Sequence, residues 1–350
     1  MYRKKLWGEK MIKEKIKEYA NKIGIEYIGF SSVEFSFDFI ERLKERRLNG
    51  HLSGFEEKDE FKRVDVSSIL SNAKSFISIA VPYRTVDLDY SRPYLSKSSL
   101  GIDYHIVLKN KLELLKVFLK EELGAESIYF CDIGPLHDRE IAYKCGIGFY
   151  GKNTNIYTKK YGSFVFLGEL ITDLYIEPDY PIESKCGSCD ICIKSCPVGA
   201  IEKPFYLNSK KCLSFITQKK ETLTYDEMIK MGSRIYGCDI CQDVCPFNKK
   251  AEYSNIVDFK PESWNINIEV ERFLTMSNKQ FKETFQKTSA GWRGKKVLQR
   301  NLIIALANLK SKEGYNKIKS LIEDEYFSYY VKYYLNRLGE FKWVEMIKVF

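Results

Sequence analysis

Eight of the ten cysteines fall between Cys186 and Cys245, and their spacing bears on which metal they could hold. Cys186-x2-Cys189-x2-Cys192-x3-Cys196-Pro197 has the spacing of the bacterial ferredoxin run. In that run three thiolates hold one 4Fe–4S cluster and the fourth reaches across to a second. Another run, Cys238-x2-Cys241-x3-Cys245-Pro246, is one cysteine short, and Cys212 is the available substitute. Cluster one then takes Cys186, Cys189, Cys192 and Cys245, and cluster two takes Cys196, Cys212, Cys238 and Cys241. Zinc sites favour Cys pairs parted by a longer loop. A tight loop carrying three cysteines and closing on Cys-Pro suits three corners of a cubane better. Such a pair of clusters moves single electrons and seldom performs chemistry alone, so another part of the chain must hold the reacting centre.

Cys131-Asp132-Ile133-Gly134-Pro135 is the first candidate for that centre. A carboxylate at a strand end, on a Gly-Pro turn, is placed to face a pocket. It could equally cap the helix that follows, and the residues alone leave both readings open. Two other motifs carry less. Gly146-Ile147-Gly148-Phe149-Tyr150-Gly151 matches the dinucleotide fingerprint, and Lys152 nearly completes a P-loop. Both motifs need a strand before the loop and a helix after it, whereas here a predicted helix precedes and a predicted strand follows. Asn49-Gly50-His51-Leu52-Ser53-Gly54 approaches a cobalamin-ligating motif but lacks the Asp that would orient the imidazole.

The elements that position these residues are legible from periodicity. Helices are expected over 10–23, 37–48, 103–123 and 138–144, the third with Leu108, Leu112, Leu115 and Leu119 on one face and Gly124 as its stop. Strands are expected over 27–30, 75–81 and 127–130. A further pair, 155–158 and 163–172, is expected to fold around Tyr161-Gly162. The mixed order gives an α+β chain whose first domain, 1–177, is α/β. Pro178 and Pro181 open the cysteine module, 178–250. The remainder, 251–350, reads as helical, with helices over 295–309, 314–322 and 328–338 whose similar spacing suggests HEAT-like repeats.

The chain has 350 residues, with 44% apolar, 29% charged and a net charge of +9. No apolar run reaches the roughly 20 residues needed to span a bilayer, and no export signal is read, so the expectation is a cytoplasmic protein without a membrane partner. From Gly291 to Phe350 there are 12 Lys and Arg against 6 Asp and Glu. That concentration of positive charge favours a polyanion such as RNA. Trp292, Arg293, Lys295, Lys296 and Arg300 are the expected phosphate contacts.

Three further stretches carry a resemblance. They are Gly101-Ile102-Asp103-Tyr104-His105, the segment from Asp132-Ile133-Gly134-Pro135 through Gly148-Phe149-Tyr150-Gly151-Lys152-Asn153-Thr154, and Phe166-Leu167-Gly168-Glu169-Leu170. Together with Cys212-Leu213-Ser214-Phe215, Tyr236-Gly237-Cys238-Asp239 and the double cysteine run, they resemble the epoxyqueuosine reductases over nearly the whole chain. The resemblance implies a cytoplasmic, cobalamin-dependent enzyme that removes the epoxide oxygen from epoxyqueuosine in the tRNA anticodon. It implies base-off cobalamin in the N-terminal domain beside the first cluster, and Asp132 as general acid. Lys152, Asn153 and Thr154 are the candidate corrin contacts, and Ser214 is a candidate to lie between cluster and corrin. A flavodoxin or ferredoxin is the expected electron donor, and a monomer the expected state. The chain departs from the family pattern at Asp138, Phe149 and Cys145, where Glu, Trp and a small residue are usual. A reductive dehalogenase would share cobalamin and two clusters but typically carries an export signal and has no use for a basic helical tail. A ferredoxin-type electron-transfer subunit would leave the N-terminal domain idle.

Overall fold

The structure, a computed structural model, describes residues 2–342, with side chains from residue 11 onward. Residues 343–350 of the basic tail lie outside the described residues. The first half of the chain runs in order through helix α1 (Tyr2–Lys22), strand β1 (Tyr27–Ser32), helix α2 (Phe37–Leu48), strand β2 (Ser75–Pro82), strand β3 (Tyr94–Leu95) and helix α3 (Tyr104–Leu123). Strand β4 (Ser127–Phe130), helix α4 (Asp138–Lys144), the short strands β5 (Phe149–Tyr150) and β6 (Ile156–Tyr157), and strand β7 (Val165–Thr172) follow. Mixed helix and sheet is thus the observed class.

The chain divides into two compact units. The first gathers Met1–Arg84, Tyr104–Lys210 and Ile240–Ser254. The second gathers Thr85–Asp103, Lys211–Asp239 and Asn255–Phe350. Six of the clustered cysteines belong to the first unit, and Cys212 and Cys238 to the second.

The first unit is built on a four-stranded sheet of order β1-β2-β7-β4, with every neighbouring pair antiparallel. β2 is buried at every position, as its unbroken apolar run requires of a central strand covered on both faces. Successive side chains of a strand point to opposite faces. On β7, Gly168 turns to α3, where a Cβ would meet the Leu112 and Leu108 side chains. Leu108, Leu112, Leu115 and Leu119 are all completely buried. The opposite face carries Phe76, Ala80 and Ile171, packed with Ile141, Ala142 and Cys145 at α4. The expected hairpin around Tyr161-Gly162 does not form. β6 pairs with β5, β7 pairs with β2 and β4, and Thr158 and Gly162 share a single antiparallel bridge. The turn chemistry was read correctly, but the long apolar strand is claimed by the sheet core.

In the second unit the three tail helices stand at Lys295–Leu309, Tyr315–Lys319 and Ser328–Arg337. The first is buried continuously from Val297 to Ala307. Its polar residues therefore meet backbone carbonyls rather than water. Asn301 Nδ2 donates to the Thr217 and Ile235 carbonyls, each at 2.7 Å. Gln299 Nε2 donates to Phe273 at 2.9 Å, and Arg300 Nη1 to Lys219 at 2.8 Å. Arg300 has no exposed surface. It is therefore a structural residue of this unit and not a phosphate contact as expected. Trp292 is 54% exposed, its Nε1 donates to Tyr236 Oη at 3.0 Å, and the Arg293 guanidinium lies 4.4 Å from its ring.

Candidate active site and cluster-binding loops

Asp132 follows the end of β4 in a left-handed conformation, with φ of 59°. A non-glycine residue held there carries strain that its surroundings must over-determine. It does not cap α4: the N-cap is His137, whose Nδ1 accepts from the Glu140 N–H at 3.2 Å. The side chain is instead 58% exposed. Its Oδ2 accepts from Tyr104 Oη at 2.6 Å and lies 3.7 Å from His105 Nε2. Tyr104 and His105 open α3, where Tyr104 stacks on Phe166 of β7 at 4.2 Å. Sheet packing thus fixes the ring that orients the carboxylate. Partial burial pushes the Asp132 carboxyl up, but hydrogen bonds from His105 and Tyr104, and the charges of His105 and Arg139, outweigh it and hold it below the usual range. At rest Asp132 is a carboxylate.

A polar layer lies behind it. Arg139 Nη1 donates to Thr154 O at 3.3 Å and to Thr154 Oγ1 at 3.2 Å, with Thr154 itself at φ of 66°. Burial pushes the Asp138 carboxyl up, only partly countered by Arg139. Glu169, on β7, is 3% exposed, and burial together with Asp138 and Asp132 drives its carboxyl well above the usual range. Arg46 and Arg63 each keep a buried Nε–H without an acceptor. Burial pushes the Cys131 thiol far up, and the Cys145 thiol up to about 12, so both stay protonated at neutral pH. His51 Nδ1 is buried without a partner, while its Nε2 stands 3.6 Å from Glu202.

The cysteine loops of the first unit adjoin this layer through residues 152–157. The Cys192 thiol is pushed up by burial and by the charges of Cys186, Cys245 and Cys189. Those are the other three thiols of the first expected set. Among the described residues no three His, Cys, Asp or Glu side chains converge as a single ion requires. A cubane carries its irons on separate corners and needs no such convergence. Cys196 Sγ accepts from the Ala200 N–H at 3.3 Å. Lys152 Nζ donates to the Gly187 and Cys189 carbonyls at 2.7 and 2.8 Å, and Asn153 Nδ2 to the Cys241 carbonyl at 3.0 Å and to Tyr157 Oη at 2.9 Å. Both side chains are thus engaged with the cysteine loops. In the second unit, Cys212 precedes the short helix Leu213–Ile216 as its N-cap residue, and the Ser214 carbonyl accepts from Thr217 Oγ1 and Gln218 Nε2.

Comparison with known proteins bears on what these residues serve. The family model described as "4Fe-4S double cluster binding domain" matches residues 185–248, and the model described as "Epoxyqueuosine reductase QueG, DUF1730" matches residues 63–132. The epoxyqueuosine reductase of Bacillus subtilis (strain 168) is 41% identical over 324 residues, covering 90% of this chain and 83% of that protein. The chain belongs to the epoxyqueuosine reductase family. A crystal structure of an epoxyqueuosine reductase with an epoxyqueuosine-modified tRNA-Tyr stem loop superposes with a TM-score of 0.90 at 39% identity, covering 95% of this chain and 91% of that one. A second structure, from Bacillus subtilis, has its catalytic aspartate loop swung out of the active site. It matches with a TM-score of 0.89 at 38% identity, covering 94% of this chain and 91% of that one. Membership of the epoxyqueuosine reductases decides against both the dehalogenase and the electron-transfer subunit.

Sequence reasoning found Asp132 and the cysteines. It did not assign roles to Tyr104, His105, Arg139 and Glu169, although three of the four lie in stretches that carried the resemblance.

Proposed function

We propose that this chain reduces the epoxide of epoxyqueuosine in the tRNA anticodon stem loop to the alkene of queuosine, with Asp132 delivering a proton to the epoxide oxygen. The observation that carries the reading is Asp132 itself. It is exposed, strained and held by Tyr104 and His105, in a chain of this family. Opening a strained C–O bond is easier when the leaving oxygen is protonated from a positioned acid. Substrate binding excludes water from Asp132 and strengthens the burial contribution that already pushes its carboxyl up, favouring the protonated form. His105 and Tyr104 keep the carboxylate oriented before the proton arrives. The gene's deletion tests the reading: tRNA nucleosides analysed by mass spectrometry should show epoxyqueuosine accumulating, and unchanged queuosine would refute it.

Two 4Fe–4S clusters fit the cysteines, the first held by Cys186, Cys189, Cys192 and Cys245 and the second by Cys196, Cys212, Cys238 and Cys241. We assign cobalamin to the N-terminal domain, 1–177. The donor set fits it, because the buried Nε–H groups of Arg46 and Arg63 lack acceptors and the cofactor's rim is rich in amide oxygens. When bound, it supplies a strongly reducing centre beside the epoxide, recharged one electron at a time through the clusters. Thr154 and the backbone of 152–154 line that place. Lys152 and Asn153 act there by bracing the cysteine loops, and Ser214 lies on the side of the second cluster. Domain 178–250 carries the clusters, and 251–350, with HEAT-like helices, binds tRNA. Trp292 offers an indole face for base stacking, and Lys296 a phosphate contact. The protein acts as a cytoplasmic monomer fed by a flavodoxin or ferredoxin.

Tyr157 tunes the first cluster. Burial, and then a hydrogen bond and charge from Cys245, hold its hydroxyl in the protonated state. Hydrogen bonds to cluster sulfurs set the reduction potential. Replacing Tyr157 by Phe should therefore make the first cluster's midpoint more negative in an EPR-monitored redox titration. An unchanged midpoint would remove Tyr157 from that role.

A further inference from the structure

Converting an epoxide to an alkene consumes two electrons and two protons and releases the oxygen as water. One C–O bond breaks as the oxygen takes its first proton. The second C–O bond breaks as the oxygen takes its second proton and leaves, and the carbon–carbon double bond forms. The electrons come from the external one-electron donor of the reductase reaction. Asp132 carries one proton at a time, so it must be recharged within the turnover or a second acid must stand behind it.

Glu169 occupies that position. It lies on the α4 face of β7, directly opposite Phe130 of β4 and Ser78 of β2. Asp132 follows two residues after Phe130. Glu169 Oε2 and Ser78 Oγ are both buried without a hydrogen-bond partner. The layer around them is apolar, with Phe76, Ala80 and Ile171 on the same face. The charged groups that act on Glu169 are Asp138 from α4 and Asp132 from the loop after β4, and both are acidic. From α3, Lys109 is felt at the neighbouring Cys131 thiol. A buried carboxyl with acidic neighbours and an orphaned oxygen is stable only as the neutral acid.

We propose that Glu169 is a proton reservoir that recharges Asp132 for the second protonation of the departing oxygen. It acts through Asp132 and does not touch the substrate. The inference rests on the epoxide-reducing function proposed above. Once Asp132 has given up its proton, its carboxylate is the acceptor nearest in kind to the Glu169 acid, and Glu169 is reprotonated after product leaves.

Infrared difference spectroscopy and single-turnover kinetics on the anaerobically purified, cluster-loaded protein test this together. At neutral pH the protein should show a deuterium-sensitive carbonyl band of a protonated carboxylic acid. That band should vanish in Glu169→Gln and shift in Glu169→Asp. Glu169→Gln should keep its iron and its affinity for the epoxyqueuosine stem loop, yet lose about tenfold or more in turnover, with Glu169→Asp recovering part of the loss. The absence of the band, or its persistence in Glu169→Gln, overturns the proposal even if a variant folds poorly. Normal turnover by Glu169→Gln overturns it as well. If the unsubstituted protein fails to convert the stem loop, it is the function reading that falls.

Discussion

Asp132→Asn lowers turnover on an epoxyqueuosine stem loop by about a hundredfold to ten-thousandfold, the range for removal of a positioned general acid. The amide keeps the shape of the side chain but has no acidic proton to give. Cluster content and stem-loop affinity should stay near normal, because the side chain is 58% exposed and its protein partners are Tyr104 and His105 rather than the core. The pH dependence follows from the sign of the shift. Asp132 is held below the usual carboxylate range in the free enzyme, so its protonated fraction grows as pH falls. In single turnovers limited by proton delivery, the rate should rise as pH is lowered through neutrality, and this rise should disappear in Asp132→Asn. A variant with near-normal rate and an unchanged pH profile would remove Asp132 from proton delivery.

Cys192→Ala removes the thiol that burial and the charges of Cys186, Cys245 and Cys189 all act on. The expected result is loss of the first cluster, with iron falling by about half, and turnover at background. Because cluster binding and folding are coupled, the loop 185–196 should also become protease-sensitive. Iron analysis and EPR spectroscopy check the first outcome, and limited proteolysis the second. Full iron content in Cys192→Ala would mean that the ligand sets are drawn wrongly. Cys131, buried beside the active-site loop and kept as a thiol, has no place in either set.

Much of this was legible in the residues, and the misses have physical causes. The elements at 37–48, 127–130 and 138–144 fall where periodicity put them, because each carries its own stop signal and a well-defined apolar face. The hairpin at Tyr161-Gly162 was missed because a turn signal states that the chain reverses, not which strand will claim the reversed segment. β7 gained more by lying between β2 and β4 in the core. Charge counting placed Arg300 on the surface because composition does not distinguish a solvated cation from a buried one. The signal was present: Gln299, Arg300 and Asn301 interrupt a run that is otherwise apolar from Val297 to Leu309, and a helix apolar all round is buried. Tyr104 and His105 are close to Asp132 only because α3 and β4 fold against each other, which no local spacing encodes. Glu169 sits in an apolar strand, where a single carboxylate looks like an edge residue until its neighbours are seen.

The most direct measurement is to incubate the anaerobically purified protein, with a chemical reductant, on a tRNA stem loop bearing epoxyqueuosine, and to follow the nucleoside by mass spectrometry. The account predicts a product lighter by one oxygen that co-elutes with queuosine, formed by the unsubstituted protein and lost with Asp132→Asn. An unchanged nucleoside, from protein carrying its full complement of iron and corrin, would contradict it.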